Sequence, residues 1–113
     1  MPESNATARI VLTTAASPEE ARRIARALVE ERLAACATLI PAVESIYRWQ
    51  GRIETSAETM LLLKTEMAQL KALEDRLLAL HSYDTPEFLV LPVEAGNEKY
   101  LRWLSEATKE NSA

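Results

Sequence analysis

One stretch constrains this chain more than any other: Ala35–Thr65 reads as two long strands joined by a single tight turn. Gln50-Gly51 has the form of a two-residue hairpin loop, because Gly51 tolerates φ > 0. At ~3.3 Å per residue, an unbroken strand over Arg52–Thr65 runs about 45 Å. A compact domain of this length has a radius of gyration of roughly 13 Å, hence a diameter of about 35 Å. The hairpin therefore overhangs its own domain. Its tip carries Ile46, Tyr47, Trp49 and Ile53. An overhanging aromatic tip is an edge hazard that pairing or packing with a neighbouring chain removes. This length argument yields an oligomer and no subunit number. The alternative is a shorter hairpin, bent at Pro41, with its aromatics folded home.

The flanking segments supply the rest of the fold. Arg9–Ala15 is rich in β-branched residues and reads as the first strand. Ser17-Pro18-Glu19-Glu20 starts a helix over Glu19–Arg32: Ser17 caps, Pro18 fits the first helical position and Glu20 reaches back as a capping box. Ala21, Ile24, Ala25, Leu28, Val29 and Leu33 follow at helical spacing. Ala35–Ile40 begins the next strand, and Pro41 removes a ladder donor, which predicts a break or bulge there. Val43–Trp49 resumes it and Arg52–Thr65 returns. A second helix is predicted over Glu66–Leu80, then a loop at His81–Pro86 and a short buried strand over Glu87–Val93. Asn97 caps a last helix carrying Tyr100, Trp103, Leu104 and Ala107. The order β-α-β-β-α-β plus a helix is the α+β, ferredoxin-like split βαβ pattern, with an antiparallel sheet and both crossover helices on one face. The expected layout is a polar tail over 1–8 that frays, one domain over 9–108, and a frayed end over 109–113.

Composition excludes several functions. The chain has 113 residues, 48% of them apolar and 27% charged, the balance of one folded domain. Its formal net charge is −4 and it has no long basic run, so nucleic acid is not an expected partner. Arg22, Arg23 and Arg26 sit among Glu19, Glu20, Glu30 and Glu31, a salt-bridged helix face. The single cysteine, Cys36, forms no internal disulfide, and no apolar N-terminal segment or bilayer-length run occurs. The expectation is a cytoplasmic protein with no membrane partner.

Candidate chemistry is sparse. His81 is the one histidine, and imidazole suits copper and zinc, so it is the leading ligand candidate. Tyr83, Asp84 and Glu87 could add oxygen donors. One histidine does not make a closed site, which needs about four donors. The plain alternative is a loop histidine that hydrogen-bonds its neighbours. Cys36 is a weaker ligand candidate; a free cysteine is more often a small buried hydrophobe. Tyr47, Trp49, Ile53, Tyr100 and Trp103 are assigned to an interface rather than to a ligand pocket. Glu54, Glu58 and Lys64 share one side of the long strand, and Lys64 either pairs there or snorkels outward. No phosphate loop, GxSxG, HExxH or CxxC occurs, and the chain is read as a non-enzyme without a required cofactor.

Three segments carry a family resemblance: Cys36–Glu54 (CATLIPAVESIYRWQGRIE), His81–Glu87 (HSYDTPE), and Leu91-Pro92-Val93 with Asn97, Tyr100, Leu101 and Trp103. Together, across about residues 9–106, they resemble the CutA divalent-cation tolerance family. The resemblance implies a ferredoxin-like fold, a homotrimer, a cytoplasmic setting, high thermal stability, and a link to copper and other divalent cations, bound weakly. Some relatives carry a cysteine on the first strand and a second histidine before the loop histidine. Thr13 and Leu80 stand at those positions here, so only His81 carries over. The alternative function is a PII-like trimer that binds a small ligand between subunits, against which two glycines in the whole chain argue. An acylphosphatase-like enzyme on the same fold lacks a placed Arg and Asn.

Overall fold

A computed structural model describes residues 3–109. In chain order the elements are β1 (Glu3–Ser4), β2 (Ala8–Ala15), α1 (Pro18–Glu30), β3 (Cys36–Trp49), β4 (Arg52–Glu66), α2 (Leu70–Leu80), β5 (Leu89–Pro92), β6 (Ala95–Gly96) and α3 (Glu98–Ala107). Four strands form one antiparallel sheet in the order β3-β4-β2-β5, and β1 pairs with β6 in a small second sheet. This is the predicted ferredoxin-like arrangement.

The local chemistry matches the helix starts. Ser17 Oγ accepts from the Glu20 amide at 3.1 Å, and Asn97 Oδ1 accepts from the Tyr100 amide at 3.0 Å. With no glycine after α1, Arg32 takes φ 61° to close that helix. A one-turn 3₁₀ helix at Met67–Gln69 separates β4 from α2, so the second helix begins later than predicted; neither Glu66 nor Gln69 caps with its side chain. The hairpin turn forms as expected, with φ 50° at Gln50 and 78° at Gly51.

Helices α1 and α2 cover one face of the sheet. Val11, Ala15, Ile24, Leu28, Leu61, Leu63, Leu73 and Leu77 are fully buried there. The pairing register places Ile10, Leu12, Met60, Leu62, Leu89, Leu91 and Ile40 on the opposite face. Only its lower end is covered, by α3 through Leu104 on Ala8 and Ala35.

A bulge divides β3. Ile40 pairs with Met60 and Val43 with Glu58, so Pro41 and Ala42 together oppose Thr59, and Ala42 takes φ 60°. The extra residue reverses which side chains face which way. Before it, Cys36, Thr38 and Ile40 lie on the uncovered face; after it, Val43, Ser45, Tyr47 and Trp49 do. The hairpin stays extended and unfolded from the body. The chain measures 45 × 36 × 21 Å, and its radius of gyration is 15.0 Å against the roughly 13 Å of a compact chain this long.

Two expectations need correction. The strand predicted as buried over Glu87–Val93 is β5, a sheet edge whose Leu89, Val90 and Leu91 are all exposed, because the described residues leave it uncovered. Residues 3–8 do not trail away from the fold. Glu3–Ser4 pair with Ala95–Gly96, the Asn5 side chain donates to Val93 O at 3.0 Å, and Ala8 is buried. The expected fraying of 1–2 and 110–113 lies outside the described residues.

Candidate functional site

A cleft of about 540 Å³ opens where the hairpin, the end of the sheet and the loop after α2 meet. The bulge-shifted register brings Ser45, Tyr47 and Trp49 of β3 to it, beside Glu58 of β4 and Thr14 of β2. The loop contributes Tyr83, Asp84, Thr85, Pro86 and Glu87.

His81 anchors that loop. Its backbone ends α2, donating to Leu77 O at 3.0 Å. Its ring is fully buried beneath the cleft. The Nε2–H donates to Thr14 O at 2.7 Å, and Nδ1 accepts from the Tyr83 amide at 3.0 Å, which assigns the Nε2–H tautomer. Both ring nitrogens are thus engaged within the chain. The Tyr83 ring packs on His81 with centroids 4.7 Å apart.

Glu20 holds the other side of the loop. Its Oε1 accepts from the Ala16 amide at 3.1 Å and its Oε2 from the Ser82 amide at 2.8 Å. The same Oε2 lies 3.9 Å from His81 Nδ1. Burial pushes the Glu20 carboxyl up, but the Ser82 and Ala16 hydrogen bonds outweigh it, holding the group below its ordinary value. Glu20 was read as a capping-box residue; it reaches Ala16 and clamps α1 to the loop.

Glu58 is the buried charge of the cleft. It is 9% exposed, and its Oε2 accepts from the Tyr83 hydroxyl at 2.8 Å. Burial, then this hydrogen bond and the Glu58 charge, push the Tyr83 phenol far up, so it stays a donor at any physiological pH. Tyr47 is fixed by a 2.8 Å hydrogen bond between its hydroxyl and Ser56 Oγ. The charged residues that line the cleft are Glu58, Asp84 and Glu87, all acidic.

The remaining candidates lie elsewhere. Cys36 sits at the root of β3, half-buried, with Lys64 Nζ 3.8 Å from its Sγ. Lys64 pairs there, donating to Thr38 Oγ1. Tyr100 and Trp103 stack on α3 with centroids 5.5 Å apart, and Trp103 borders a second groove with Cys36 and α1. Ile53 pairs with Arg48 on the hairpin face opposite the cleft. Thr13 is buried on the helix-covered face with its hydroxyl unpartnered, and Leu80 packs against the core, so neither position looks into the cleft. Among the described residues, no three His, Cys, Asp or Glu side chains converge to hold a metal ion. Sequence reading missed Glu58 and Glu20 as site residues. The one available signal was that Glu58 shares a strand face with Glu54.

No helix among the described residues is long and apolar enough to cross a membrane. The model of the CutA1 divalent ion tolerance protein family matches residues 9–107. The divalent-cation tolerance protein CutA of Thermus thermophilus is 50% identical over 99 residues, covering 88% of this chain and 96% of that protein. A chloroplastic CutA protein of rice is 41% identical over 102 residues, which are 90% of this chain but 58% of that longer protein. The solved CutA structure from Synechococcus elongatus superposes with a TM-score of 0.92 at 38% identity, covering 96% of each chain. The family model and the Thermus thermophilus protein are named for tolerance of divalent cations. A family model over nearly the whole described chain, on the same fold, leaves one conclusion: this chain belongs to the CutA1 divalent ion tolerance protein family.

Proposed function

We propose that the chain works as a cytoplasmic homotrimer in tolerance of divalent cations, contacting copper or a similar ion weakly and running no reaction of its own. The observation that carries the assembly is the second face of the sheet, which α3 covers at its lower end and which the described residues otherwise leave open. Leu89, Leu91 and Ile40 on that face are exposed, and the hairpin adds Tyr47, Trp49, Ile46 and Ile53. Such surface is stable in water once another copy covers it. Tyr100 and Trp103 on α3 are exposed as well. Tight packing of that kind also supports the expected thermal stability.

Weak cation contact suits the loop after α2. Asp84 and Glu87 are exposed oxygen donors beside Tyr83. His81 joins them through Nδ1 only by releasing the Tyr83 amide, which costs about 1 kcal/mol. Cys36 lies at the far end of β3 and takes no part. The test is a calorimetric Cu²⁺ titration of the tag-free protein, with His81→Ala and Asp84→Asn beside it and circular dichroism to check the fold. Binding in the parent that weakens in both variants supports the reading. No binding in the parent, or unchanged binding in both variants, overturns it.

A further inference from the structure

At the foot of the sheet a guanidinium gives one of its donors to a poor acceptor. Arg9 Nη1 donates to Ala8 O at 2.8 Å and to Ala6 O at 3.0 Å, and Nη2 donates to Met67 Sδ at 3.2 Å. Among the described residues no carboxylate lies within ion-pair distance of Arg9. The charge is met by two carbonyls and a thioether, and a thioether accepts weakly. A stronger acceptor on that sulfur would find a cationic donor already in place.

The position stands clear of the surface assigned to other copies. Met67 lies in the 3₁₀ turn after β4, at the opposite end of that strand from the hairpin, and is 50% exposed. Arg9 pairs with Thr65 and shares its side of β2 with Val11, which is the helix side of the sheet. Met60 is half-buried and lies on the second face of the sheet, the one the copies cover.

The same corner straps down the start of the chain. The Met67 amide donates to Thr7 O at 2.7 Å, and the Thr7 hydroxyl donates to Glu66 Oε2 at 3.1 Å. Further along, the Asn5 amide donates to Glu94 O at 3.0 Å. Arg9 joins this strap, through Ala6 O, to the turn, through Met67 Sδ. The strap over 3–8 precedes the residues that the family model matches.

We propose that Met67 is a peroxide-sensitive modification site whose sulfoxide Arg9 grips, so that oxidation tightens the strap. A sulfur lone pair attacks one oxygen of hydrogen peroxide, the S–O bond forms and the O–O bond breaks. The departing hydroxide takes the proton of the transferred oxygen and leaves as water. Sulfur loses two electrons and the peroxide gains them. The new oxygen carries a strong dipole and accepts the Arg9 Nη2–H in place of the sulfur. The long, unbranched, half-exposed side chain can shift to admit it. Oxidation of methionine commonly disrupts a core, but Met67 is outside the core, and methionine sulfoxide reductases can reverse the step. This goes beyond the divalent-cation reading and depends on neither a metal nor the subunit number.

The test exposes the full chain to hydrogen peroxide in buffer containing EDTA and follows each methionine by peptide mass spectrometry. Hydrogen exchange of the Asn5 amide, read by NMR before and after oxidation, reports the strap. Sulfoxide should form several-fold faster at Met67 than at Met60, and Asn5 exchange should then slow by about threefold or more. Met67→Gln, which places an amide oxygen near Arg9, should slow it without oxidant. Met67→Leu should not respond to peroxide, and Arg9→Ala should oxidise without the slowing. Oxidation of Met67 no faster than Met60, Asn5 exchange that is unchanged or faster after oxidation, or equal slowing in folded Arg9→Ala overturns the proposal. If Arg9→Ala does not fold, Asn5 exchange as fast in Met67→Gln as in Met67→Leu overturns it.

Discussion

The two halves of the β3–β4 ribbon are built from the same pair of strands and meet opposite fates. Below the Pro41–Ala42 bulge, Leu61 and Leu63 are fully buried under α1 and α2. Above it, Ile46 is 66% exposed and Ile53 62%. Both halves have full backbone pairing, so hydrogen bonding does not distinguish them. What differs is cover: the helices reach only as far as the bulge. The root of the ribbon is stabilised by its own chain. The tip is an apolar surface that the described residues leave exposed, and the bulge decides which of its faces carries the aromatics.

The largest test of that contrast is a matched truncation. Leu63→Ala opens a cavity in the sealed core and should cost about 2–5 kcal/mol of stability in denaturant unfolding, at every protein concentration. Ile53→Ala leaves no cavity in the chain. Its effect should appear as a midpoint that depends more steeply on protein concentration, since it weakens association and not the core. Equal, concentration-independent losses at the two sites would erase the distinction.

A middle-sized effect is expected at the clamp joining the root to the cleft. Glu20→Ala strands the Ala16 and Ser82 amides and should cost about 1–3 kcal/mol. The sign with pH follows from the carboxyl being held below its ordinary 4.5. The unfolded chain binds the proton more readily, so this stabilisation is complete above about pH 4.5 and is lost as pH falls through the lower folded value. Unfolding curves across pH 3–6 should show Glu20→Gln losing part of the acid sensitivity of the parent. An unchanged acid slope would remove Glu20 from the account.

The smallest effect sits at the bulge itself. Ala42 holds φ 60°, which glycine adopts without steric penalty. Ala42→Gly should therefore change stability by under about 1 kcal/mol, toward stabilisation. Thermal unfolding of this variant against Ala42→Val, where a β-branched side chain resists positive φ, should order them Gly, parent, Val. Any other order would mean that the bulge is not where the register turns over.

Much of the scaffold was legible because its signals are local. Ser17-Pro18, Gln50-Gly51, Pro41 and Asn97 each act within a few residues of themselves, and each does what its chemistry predicts. The misreadings share a different cause. Leu89-Val90-Leu91 is an apolar run, and such a run cannot say whether its own chain supplies the cover. Asn5 and its neighbours find partners at Val93 and Glu94, at the far end of the sequence. The site was legible only in part for the same reason. His81 and Tyr83 stood together in the loop, but Glu58 meets Tyr83, and Glu20 meets Ser82, only through the fold. The parity rule also breaks at a one-residue bulge, which places Tyr47 and Trp49 on the face of Glu58.

The central claim is that the uncovered sheet face and the hairpin tip are covered by copies of this same chain. Sedimentation equilibrium of the purified protein at micromolar concentration tests it most directly. The account predicts a single species of three times the chain mass, shifting toward the monomer when Ile46 and Ile53 are both changed to Ser. A parent that sediments at the mass of one chain would contradict it.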